Sequence, residues 1–136
     1  MATTTLTGTV HRPFGDVLGA TRDALAAQGF GVLTEVDMQA TLKAKIGADI
    51  PPQVILGACR PPLADAALRA EPSIGLLLPC NVVVRSVNDD QTRVETIDPA
   101  IMVRVTGNPA LQAVAAEART RLTDALRSML AVPRAT

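Results

Sequence analysis

The sequence predicts an α+β fold: a single-domain two-layer sandwich spanning residues 1–136, core about 6–130, with helices packed on a mixed β-sheet of about five strands. Three observations lead there. β-branched runs alternate with stretches whose apolar residues recur every three or four positions. Proline, glycine, asparagine and aspartate sit between those segments, where turns and caps need them. Apolar residues make up 48% and charged residues 19%, a balance that supports a packed core.

The elements follow in order. Residues 3–10 are rich in threonine and read as a strand. Pro13 suits a first helical turn, and Phe14, Val17, Leu18, Thr21 and Leu25 repeat at helical spacing up to the stop at Gly29. Gly31 to Val36 reads as a second strand. Asp37 then caps a short helix over Met38 to about Ile46, with Leu42 and Ile46 on its apolar side and Gly47 at its end. Val54 to Cys59 is a continuous apolar run, expected of a strand buried on both faces. Pro61-Pro62 ends it and opens a third helix to about Ala70, which Pro72 stops. Leu77 to Val87 and Thr92 to Ile97 flank the turn Asn88-Asp89-Asp90-Gln91 and predict a hairpin. Asp98-Pro99 breaks the second strand. Ile101 to Val105 fits a short strand or a helical turn equally well. Asn108 as N-cap and Pro109 as first residue open a last helix, apolar along Leu111, Ala115, Ala118, Leu122, Ala125 and Met129, which Pro133 closes.

Composition excludes several functions. Thirteen basic residues meet thirteen acidic ones, so no electrostatic footprint points to nucleic acid. Phe14 and Phe30 are the only aromatic side chains, too few for base stacking. His11 is the single histidine, so one chain cannot supply two imidazoles. No apolar run reaches the roughly 20 residues that span a bilayer, so no membrane partner is expected. The residues Met-Ala-Thr-Thr-Thr-Leu-Thr lack the basic flank and apolar run of a signal peptide, and a cytoplasmic location is expected. There Cys59 and Cys80, 21 residues apart, are reduced thiols.

No phosphate-binding loop and no nucleophile elbow around Ser73, Ser86 or Ser128 is present. The unusual segments are Gly57-Ala58-Cys59-Arg60-Pro61-Pro62 and Leu78-Pro79-Cys80-Asn81. In the first, a strand leaves the core and a helix begins, so backbone amides and the Arg60 guanidinium can attract an anion. The two thiols share one edge of the sheet if their strands run antiparallel, and lie at opposite edges if a crossover makes them parallel. Met102 and Met129 would add soft donors and favour copper(I). Asp37, Asp49 and Asp98 stand at element boundaries, where carboxylates usually cap.

A resemblance enters on longer stretches. Gly29-Phe30-Gly31-Val32-Leu33-Thr34-Glu35-Val36-Asp37 continues to Leu42, and Ile55-Leu56-Gly57-Ala58-Cys59-Arg60-Pro61-Pro62 to Ala64. Leu76-Leu77-Leu78-Pro79-Cys80-Asn81 and Asp98-Pro99 follow in the same order. Together they resemble the bacterial and archaeal proteins grouped as domain of unknown function family three-zero-two, over roughly Leu6 to Met129. The resemblance implies a compact α+β domain that forms dimers, and no established reaction. It places the expected ligand site at Asp37, Cys59, Arg60, Pro61, Pro79, Cys80 and Asp98.

Three readings result. The first is a non-catalytic cytoplasmic binding domain, a homodimer with a small-molecule ligand at that region. The second is a thiol-based redox, soft-metal or haem-binding protein using Cys59 and Cys80 with His11. The third is a small enzyme whose site is completed across a dimer interface.

Overall fold

The computed structural model describes residues 5–130. The start of the first strand at Thr3, the leader reading of residues 1–4 and the stop at Pro133 lie outside them. These residues form, in chain order, β1 (Thr5–Val10), α1 (Phe14–Ala27), β2 (Gly31–Asp37), α2 (Met38–Ile46), β3 (Gln53–Cys59), α3 (Pro61–Ala70), β4 (Cys80–Asn88), β5 (Gln91–Ile97), α4 (Ile101–Thr106) and α5 (Gln112–Leu130). Short 3₁₀ turns precede β4 (Pro72–Leu77) and α5 (Pro109–Leu111).

Punctuation residues act as their chemistry dictates. The Asp37 carboxylate accepts from the Ala40 amide at 2.9 Å and starts α2. Gly47 and Gly107 end α2 and α4 at φ 67° and 66°, left-handed positions where a Cβ would be strained. The Asn108 side chain accepts from the Ala110 amide and donates to Ala70 O, tying the entry of α5 to the end of α3.

The sheet order is β1-β5-β4-β3-β2. All four pairings are antiparallel, so the α+β sandwich holds but its sheet is not mixed. The reason is the β1-α1-β2 connection. It crosses the whole sheet and leaves these like-directed strands at opposite edges, where they cannot pair.

Strand alternation then divides the sheet into two faces. Val54, Leu56 and Ala58 of β3, Val82 and Val84 of β4, and Val94 of β5 are buried against Val17 and Leu25 of α1 and Leu122, Leu126 and Met129 of α5. Among the described residues the opposite face is more open and no helix is layered across it: Ile55, Val83, Arg93, Glu95 and Ile97 are only partly buried. The apolar run of β3 is therefore covered on one face, not two. A second cluster, Ala67, Ile74, Cys80, Met102 and Leu111, fills the space between α3, α4 and the start of α5.

Two ambiguous stretches resolve. Residues 101–106 are helical, because the Asp98 carboxylate accepts from the Ala100 amide at 2.9 Å and Ile101 N donates to Asp98 O, forming a turn before the β-branched run begins. Leu77 ends a 3₁₀ turn that Pro72 opens, so the extended segment starts at Cys80. No helix is long and apolar enough to cross a membrane among the described residues.

Candidate functional site

Antiparallel pairing of β3 with β4 sets Ala58 opposite Cys80, so Cys59, the last residue of β3, lies beside the first residue of β4. Both thiols thus occupy one end of the sheet. The register of β4 with β5 brings Asp98 to the same end, since Val82 faces Thr96. Pro79 stands against Gly57 there.

Two predicted site residues lie elsewhere. Asp37 faces Val54, while Gly31 at the other end of β2 faces Cys59, so a strand length of about 20 Å separates Asp37 from the thiols. His11 follows Val10, which faces Thr92 beside the hairpin turn, and its Nδ1 contacts Gln91 Nε2 at 3.0 Å. It sits at the end of the sheet opposite the cysteines and cannot join them in one ligand set. Met129 belongs to the main core, where its sulfur accepts from the Thr21 hydroxyl at 3.3 Å. Among the described residues, no three His, Cys, Asp or Glu side chains group as metal ligands would.

The chemistry of the segment after β3 is also settled by geometry. Arg60 Nε donates to Gln28 O, and its Nη1 pairs with Glu117 Oε2, each at 3.2 Å. Pro61 and Pro62 have no amide hydrogen, and the Leu63 and Ala64 amides donate to Arg60 O. The start of α3 therefore offers little to an anion. Arg60 instead ties the end of α1, the start of α3 and α5 together. Asp98 is committed as well: its second oxygen accepts from Arg119 Nε at 3.0 Å.

What the fold assembles at this end is sulfur. Cys59, Cys80 and Met102 line one cavity of about 20 Å³, closed by Phe30, Leu63 and Ala118, with Arg60 on its wall. Cys80 is 6% exposed. Burial, and then the neighbouring Cys59, push its thiol up to about 11. A thiol so placed stays protonated at neutral pH and is a poor nucleophile. The cavity is far smaller than the several hundred Å³ typical of sites for organic ligands.

Nearly the whole chain, residues 6–129, matches the family described as Domain of unknown function DUF302. The chain belongs to this family. It is also similar to the crystal structure of an uncharacterised conserved DUF302 protein from Bacillus stearothermophilus. That match has 28% identity and a TM-score of 0.83, covering 90% of this chain and 95% of the other. No curated protein matches.

The buried thiol gives this DUF302 domain a pH signature. Below its ordinary 9.0, Cys80 is protonated in folded and unfolded chains alike, and its contribution to stability is fully present. Between there and about 11 the unfolded chain loses the proton while the folded chain keeps it, so stability falls as pH rises. The expected loss is about 2–3 kcal/mol at the upper end of that window. Urea denaturation across the window measures it, and Cys80→Ala should flatten the slope. Equal slopes in both proteins would remove Cys80 as the cause.

Proposed function

We propose that this DUF302 domain is a cytoplasmic binding protein that holds one soft monovalent metal ion, copper(I), between Cys59, Cys80 and Met102. The observation that carries the reading is that Cys59, Cys80 and Met102 are lining residues of one small apolar cavity. Thiolate and thioether donors select copper(I) over harder ions, and a cavity of about 20 Å³ suits an ion better than an organic ligand. Binding releases both thiol protons and leaves a net negative bis-thiolate centre. Because the thiolate is the ligand, the raised position of Cys80 makes binding compete with its proton and strengthen as pH rises.

We further propose a homodimer joined along β2. All seven residues of this edge strand are exposed, with Leu33 at 65% and Val36 at 41%, and such an edge is a template for pairing.

Anaerobic copper(I) titration of the reduced protein against a chromophoric chelator tests the site. One ion per chain is expected, with affinity falling roughly 100-fold or more in Cys59→Ser with Cys80→Ser, and less in Met102→Leu. Retention of copper by the double variant would end the proposal. Native mass spectra of the same samples report the oligomer. A monomer excludes the β2 dimer, and loss of two hydrogens on isolation favours the disulfide reading instead.

A further inference from the structure

The helix-free face of the sheet carries an open groove of about 830 Å³, bounded by β1, β5, β4 and the segment Leu76 to Pro79. Leu78, Val83 and Ile97 give it apolar walls, and Arg93 and Glu95 stand on its floor. Pairing of β4 with β5 sets Arg85 directly opposite Arg93. Like charges so placed repel unless something neutralises them. Glu95 neutralises one: Arg85 Nε donates to Glu95 Oε1 at 2.6 Å. Arg93 has no such partner. Its Nε is buried without an acceptor, and it forms no ion pair with any described residue.

We infer that this groove is a second binding site, distinct from the sulfur cavity although Leu78 lines both, for a small organic monocarboxylate with an apolar body. The carboxylate meets the Arg93 guanidinium, whose planar fork matches two oxygens. The apolar body lies along Val83, Ile97 and Leu78. Glu95 beside the site disfavours a dianion such as a phosphate monoester. The volume falls within the range of small-molecule sites.

Octanoate is the probe, added to reduced, metal-free protein and followed by nitrogen–proton correlation spectra, with octan-1-ol as the uncharged control. Octanoate is expected to shift amides of β1, β4, β5 and residues 76–79, and octanol to bind more weakly. Arg93→Gln should weaken octanoate at least about 10-fold, the loss of one charge-assisted pair, while the thermal midpoint stays level or rises because an unpaired cation has gone. Arg93→Lys, which keeps the charge but not the fork, should fall between. Equal binding to Arg93→Gln, equal binding of octanol, or shifts centred on Cys59 would each overturn the inference. So would concentration-dependent shifts of the groove amides without ligand, because these would make the face a contact between copies. Copper binding by the Arg93 variants should be unchanged, so failure of this site leaves the sulfur site untouched, and the reverse.

Discussion

Gly57→Ala is expected to destabilise the protein by about 2–3 kcal/mol, near the upper end for overpacking a tight site. A Cβ on Gly57 would stand 2.1 Å from Thr34 Oγ1 and 2.9 Å from Pro79 Cγ. Neither neighbour yields easily. Thr34 is β-branched and follows the irregularity between Val32 and Thr34, where β2 slips by one residue against β3. Pro79 is a rigid ring at the entrance to β4. Relief has to come from the end of β3, which carries Cys59, so copper(I) affinity should fall along with stability. Calorimetry would show a thermal midpoint lower by roughly 10 °C for a domain of this size. Thr34→Ala in the same background should restore part of that, since the Pro79 contact remains. An unchanged midpoint would mean that β2 and β3 separate at no cost, contrary to the packing described.

Ile74→Ala is the second large effect, expected to cost about 2–5 kcal/mol. Ile74 is 0% exposed and is the largest aliphatic side chain with Leu111 in the small cluster that also holds Cys80 and Met102. That cluster has few members to close around a void, so most of the cavity stays open. Local opening there should become easier than global unfolding. Urea denaturation gives the first effect. The rate at which a thiol reagent modifies Cys80 gives the second, and it should rise well beyond the rate in the unsubstituted protein. A large loss of stability with no gain in Cys80 reactivity would show that the cluster opens only with the rest of the core.

The extent of most elements was legible because local chemistry sets it. Pro13, Gly29, Asp37, Gly47, Pro61-Pro62 and Asn108 each stand where a helix begins or ends, and each acts locally, the prolines and glycines through backbone conformation and Asp37 and Asn108 through cap bonds. Ile101 to Val105 resisted because its β-branched residues favour a strand, whereas the preceding Asp98 turn starts a helix. The site was legible only in part. The sequence left open whether Cys59 and Cys80 meet, which the antiparallel register of β3 and β4 decides, and Asp37, grouped with them in sequence, caps a helix a strand length away. Arg93 was missed. The hairpin over Thr92 to Ile97 was legible, yet nothing local says that Glu95 pairs with Arg85 and leaves Arg93 without an ion pair among the described residues.

By itself the sequence determined the fold class, the order of elements and the family, because periodicity and capping are short-range properties. Only the tertiary structure decided which ends of the strands meet. Antiparallel pairing aligns the end of one strand with the start of the next, and the pairing is chosen by burying one whole face at once. That choice joins Cys59 to Cys80 and Met102, sends His11 to the far end, and leaves the other face of the sheet open above Arg93.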